Sequence, residues 1–113
     1  MPEVPSLSQV LALLEDRAHP ATAEDWDRVG LVTGDPAQPV ARVRFAVDAT
    51  PDVVADTLAA HADLLVTHHP LLLRGVSSVA ETSSRGRTLA ALIRSGCALF
   101  TMHTNADQAL GGV

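Results

Sequence analysis

Two short runs constrain this chain more than anything else in it: DLLVT at 63–67 and CALFTM at 97–102. Each is strand-length and apolar almost throughout. A strand exposed on one face alternates apolar and polar residues, so such runs belong to strands covered on both faces. Between and around them lie helical patterns. TPDVVADTLAAHA opens with Thr50 as N-cap, Pro51 at the first helical position and Asp52 against the helix dipole. GRTLAALIRSG points Leu89, Leu92 and Ile93 inward and ends at Gly96. PSLSQVLALLEDRAHP reads as a first helix, capped by Ser6 or Ser8, with Val10, Leu11, Leu14 and Ala18 as its stripe and Pro20 as its stop.

Two further strands are expected. VGLVTG (29–34) is closed by the turn GDPAQP. ARVRFAVDA (41–49) alternates Val43, Phe45 and Val47 against Arg42 and Arg44, a half-buried strand. ATAEDWDRVG is a polar connector and GVSSVAETSSRG a surface loop. The order α-β-β-α-β-α-β predicts an α/β fold, a mostly parallel sheet flanked by helices, as one domain over residues 1–113. Aromatic residues make up 3% of the chain, so Ala, Val and Leu must fill the core.

Charge excludes some functions. The net charge is −5, and the eight basic residues are scattered arginines with no lysine. No nucleic-acid partner is expected, because a phosphate backbone needs clustered positive charge. A Walker A loop is excluded for want of its lysine. The single Cys97 allows no internal disulfide. The start MPEVPSLSQVLALLEDR lacks a basic signal-peptide region, and no apolar run reaches membrane-spanning length. A cytoplasmic location without membrane contact is the expectation.

The chemistry concentrates in two places of the same kind. His68 and His69 follow the strand LLVT, and His103 and Asp107 follow the strand CALFTM. Open parallel sheets bind ligands beyond the carboxyl ends of their strands. If these strands are neighbours, the four side chains converge on one crevice. Imidazoles with a carboxylate form a ligand set for Zn, Mn, Fe or similar ions. Adjacent residues of a regular strand point to opposite faces. Past the strand end the backbone bends, and both rings can turn to one cleft. His103 and Asp107 are one helical turn apart, and Thr104 or Asn105 can cap that turn.

Each segment alone also reads as a surface or core histidine; their shared position is what points to metal. His19 and His61 sit at helix ends and read as structural. Trp26 reads as a core anchor and Cys97 as a small apolar filler. Asp48 ends a strand on the same edge as His68, where it either assists the site or caps the next turn. Gly111 and Gly112 either approach a ligand or end the chain. Ser83 and Ser84 lack a histidine at useful spacing, and no G-x-S-x-G elbow occurs.

These segments also resemble a family. EDWDRVGLVTG is similar to the opening Trp-Asp-Asn-x-Gly-Leu segment of the NIF-three-like dinuclear metal-centre proteins. FAVDATPDVVADTLAAHADLLVTHHPLLLRG resembles that family's central block, and GRTLAALIRSGCALFTMHTNADQALGGV its His-Thr-Asn-x-Asp block. Bacterial members are often named GTP cyclohydrolase 1 type 2 homologues. The resemblance implies that His68 and His69 bind a pair of divalent metal ions, that Asp107 holds one of them, and that His103 is a further ligand or close neighbour. It implies a homo-oligomer, commonly a hexamer, and a small-molecule substrate such as a nucleotide. It implies a metal-dependent hydrolase; the alternative is a non-catalytic metal-binding or scaffold protein working as a ring. A plain α/β domain without metal is a further alternative. Arg28 stands where the family commonly has Asn. The family completes its site with a C-terminal His-x-x-x-Glu pair, and Val113 precedes any such segment. The expectation is therefore a fold truncated before the family's C-terminal part, carrying half of the ligand set.

Overall fold

The computed structural model describes residues 4–17, 30–72 and 75–102. Its elements run α1 (Leu7–Arg17), β1 (Gly30–Thr33), β2 (Val43–Ala46), α2 (Pro51–Ala59), β3 (Leu64–Thr67), α3 (Ser84–Arg94) and β4 (Ala98–Thr101), the expected order. The strands form one sheet in the order β1-β4-β3-β2. β2, β3 and β4 are parallel, while β1 runs antiparallel to β4 with a register shift between Leu31 and Thr33.

The central strands are the two apolar runs, and all their residues are buried. Their side chains alternate between two separate cores. Leu64, Val66, Ala98 and Phe100 face α1, whose Leu7 and Leu11 pack against them. Leu65 and Leu99 face the other way, against Val54 of α2 and Leu92 of α3. This is the three-layer arrangement that a strand apolar on both faces requires.

Local chemistry sets the helix starts. Ser6 and Gln9 cap α1 reciprocally: Gln9 N–H donates to Ser6 Oγ at 3.3 Å and Ser6 N–H to Gln9 Oε1 at 2.8 Å. Thr50 caps α2 by accepting from Val53 N–H, with Pro51 in the first turn. Ser83 caps α3 by accepting from Gly86 N–H at 3.0 Å. Gly96 leaves α3 at φ 69°, the left-handed residue that ends many helices.

Two expectations about burial need correction. Phe45 and Val47 are 68% and 59% exposed. They share the face of Val43 by alternation, but β2 is an edge strand and no described element packs over its outer end. Ile93 is 57% exposed rather than inward. The buried arc of α3 runs through Gly86, Thr88, Leu89 and Leu92, and Ile93 lies beyond its flank.

Gly34 closes β1 at φ 140°, and a Cβ there would lie 2.6 Å from Ala98 Cβ and 2.9 Å from Leu7 Cδ2. Gly96 has open space around it. Gly34→Ala is therefore expected to destabilise the fold by about 2 kcal/mol or more, against about 1 kcal/mol for the purely conformational strain of Gly96→Ala. Urea unfolding of both variants checks the difference; equal losses would show that the Gly34 contact does not matter.

Candidate metal centre

β3 and β4 are parallel neighbours with Thr67 opposite Thr101, so the segments that follow them leave the sheet side by side. Strand pairing continues one step further, with Met102 N–H donating to Thr67 O at 2.9 Å and His68 N–H to Ala46 O at 3.1 Å. His69 N–H then donates to Val47 O at 2.9 Å. In an extended strand successive N–H groups point to opposite neighbours. Consecutive donation from His68 and His69 to the same side marks the point where the chain turns. The turn undoes the alternation of side chains, and the two rings lie with centroids 5.1 Å apart at an interplanar angle of 44°.

Both rings are fixed through Nδ1. His68 Nδ1 lies 3.2 Å from the Met102 carbonyl, and His69 Nδ1 lies 2.8 Å from Asp48 Oδ1. A carbonyl or carboxylate oxygen can only accept, so in each case Nδ1 carries the hydrogen. In the neutral ring the lone pair then resides on Nε2. A metal-ligating histidine usually has this arrangement, its far nitrogen donating to a carbonyl or carboxylate. Thr67 Oγ1 donates to His69 O at 3.1 Å and fixes the backbone between the rings. Asp48, for which capping was the other expectation, faces His69, while Thr50 caps α2.

The structure thus brings together His68, His69 and Asp48 at the carboxyl ends of β2 and β3. His103 and Asp107 lie outside the described residues, as do His19, Trp26, Arg28, Gly111 and Gly112. Among the described residues no group of three or more His, Cys, Asp or Glu is placed to hold a metal ion. The donor chemistry of the described pair nonetheless fits a divalent ion, with two imidazoles in one tautomer at adjacent positions. His61 takes φ 56° just beyond α2, a structural position, and is exposed.

A sequence profile for Duf34/NIF3 (NGG1p interacting factor 3) matches residues 5–113. The chain belongs to the Duf34/NIF3 family. It is 47% identical over 110 residues to a Streptomyces coelicolor protein named GTP cyclohydrolase 1 type 2 homolog, covering 97% of this chain and 39% of that one. It is 50% identical over 107 residues to a Mycobacterium tuberculosis protein of the same name, covering 95% of this chain and 28% of that one. A crystal structure of a Staphylococcus aureus protein matches with a TM-score of 0.88 and 33% identity, over 95% of this chain and 30% of that one. The crystal structure of a Bacillus cereus protein related to NIF3 matches with the same TM-score and 26% identity, over 94% and 29%. The chain therefore spans well under half the length of these relatives. Among the described residues no helix is long and apolar enough to cross a membrane.

Two other groups of this Duf34/NIF3 chain bear on the site's chemistry. Cys97 opens the segment into β4 at the opposite end from the histidines and is buried. Burial pushes its thiol up to about 11, with the Asp63 carboxylate adding to the effect. It is no nucleophile at neutral pH. Thr101, on the α2–α3 face of β4, has a buried Oγ1 with no hydrogen-bond partner among the described residues.

An idle buried hydroxyl is a standing loss, so Thr101→Val is expected to raise stability by about 1 kcal/mol in urea unfolding. A destabilised variant would show that the hydroxyl has a partner after all. Because the folded thiol titrates higher than an unfolded one, the Cys97 contribution is complete below pH 9.0 and is lost as pH rises towards about 11. Cys97→Ala should abolish that alkaline part of the stability profile, measured by unfolding across pH 8 to 11.

Proposed function

We propose that this chain carries one side of a dinuclear divalent-metal centre and acts as a metal-dependent hydrolase of the GTP cyclohydrolase 1 type 2 kind. The observation that carries the reading is the pair of imidazoles 5.1 Å apart, each with Nδ1 held by an oxygen acceptor. His68 and His69 hold the ions through Nε2. Asp107 is a ligand to one ion, and His103 either completes the set or carries a proton. The names of the Streptomyces and Mycobacterium relatives support the reaction class.

When bound, such a metal pair supplies a Lewis acid and generates a nucleophilic hydroxide from water at neutral pH. The protein's part is orientation. Asp48 fixes the His69 ring and makes its Nε2 a better donor, and the Met102 carbonyl does the same for His68. The identity of the ions rests on availability, because His–carboxylate sets accept Zn, Mn or Fe. We place the protein in the cytoplasm, with a small-molecule substrate. The bare outer end of β2, with Phe45 and Val47, favours assembly into the hexamer that the family resemblance implies. Without turnover, the same site and assembly describe a metal-binding scaffold.

The test is metal content and affinity of the untagged protein after loading with Zn or Mn. His68→Ala or His69→Ala should lower affinity at least tenfold, and Asp48→Asn by about tenfold. Unchanged metal content in both histidine variants would remove the metal centre. Metal binding without turnover of GTP or of a phosphodiester would remove the hydrolase and leave the scaffold.

A further inference from the structure

A cleft of about 250 Å³ opens directly beside His69, between the N-terminal turns of α2 and α3. Asp48, Thr50, His69, Ser84, Arg85 and Thr88 contribute its polar lining. Three features of it are not explained by stability. Arg85 lies in the first turn of α3, which has no acidic residue, and its positive charge opposes the helix dipole there. Its guanidinium forms no ion pair or hydrogen bond among the described residues, a state it shares with Arg44 on β2, whereas Arg42, Arg87 and Arg94 are all bonded. Thr88 is only 6% exposed, yet its hydroxyl has no hydrogen-bond partner among the described residues. It lines the cleft. A hydroxyl and a cation that bond to none of the described residues, both on one cavity, can each donate to an anionic acceptor held there.

We infer that this cleft binds the phosphate of a phosphorylated substrate, with Arg85 as its charged anchor and Thr88 as a neutral donor. The inference deepens the proposed function, and rests on it only for what reacts beside His69. A guanidinium presents paired N–H groups that match two phosphate oxygens. The cleft is too small for a whole nucleotide, since pockets that enclose drug-sized ligands run from about 300 Å³ upwards. A second concavity of about 600 Å³ shares Ser84 and Arg85 with it and is lined further by Ser77 and Ser78. A phosphate at Arg85 can therefore have one substituent directed to the histidines and another into the larger space. Asp48 is the one anion among the described residues that line the cleft, and its Oδ1 is engaged by His69.

The test is binding of inorganic pyrophosphate, GTP and guanosine to the metal-free protein, measured by calorimetry. Pyrophosphate and GTP should bind and guanosine should not. Arg85→Gln, at an exposed position, should weaken both phosphate probes at least tenfold, and Thr88→Val should weaken them several-fold. Metal content should be unchanged in Arg85→Gln. His68→Ala, which does not line the cleft, should lose metal yet still bind pyrophosphate, so the two readings fail separately. Equal pyrophosphate binding by wild type and Arg85→Gln would overturn the inference. So would the absence of any binding by wild type at millimolar probe, or guanosine binding as well as GTP.

Discussion

The register of three parallel strand ends governs the site. β2, β3 and β4 stop level with one another, with Ala46 opposite Thr67 and Thr67 opposite Thr101. Each strand end then supplies one part of the histidine cluster. β3 provides the two rings, β2 the Asp48 carboxylate, and β4 the Met102 carbonyl. A shift of β3 by one residue would exchange its two faces and turn Thr67 into the α1 core that Val66 now fills. The packing that fixes the fold therefore also fixes the ring positions. Among the described residues the extra His69–Val47 bond is the departure from regular pairing at this corner, and it brings the rings together.

How much of this was legible in the sequence depends on whether the signal lay in side chains or in backbone. DLLVT and CALFTM announced two strands buried on both faces, because no other short element tolerates that pattern. Thr50–Pro51–Asp52 announced the start of α2. The direction of β1 was not legible: VGLVTG has the same composition whether it pairs parallel or antiparallel. Phe45, Val47 and Ile93 were read inward because periodicity shows which residues share a face, and not whether a neighbour covers that face.

The histidine pair was legible as a candidate, since it follows its strand just as His103 and Asp107 follow theirs. Its supports were less so. Asp48 had two expected roles, and only the geometry chooses His69. The Met102 carbonyl is backbone and leaves no trace in a sequence. Arg85 looked like one of several scattered arginines. Its distinction is positional, a cation in the first turn of α3 with no partner among the described residues, and that emerges only when Ser83 is seen to cap the helix.

Charge links the two readings of this corner. Two divalent ions would bring four positive charges to a pair of neutral imidazoles. The one described carboxylate nearby, Asp48, is turned towards His69 Nδ1. Arg85 adds a further positive charge on the same side of the sheet. Like charges in a confined cleft repel, and the strain is relieved only by anions. A phosphate group in the cleft that Arg85 and His69 both line would supply up to about two negative charges. If the proposed metal pair is bound, such a site would favour phosphorylated over neutral substrates, because the anion would neutralise the metal pair and the guanidinium together.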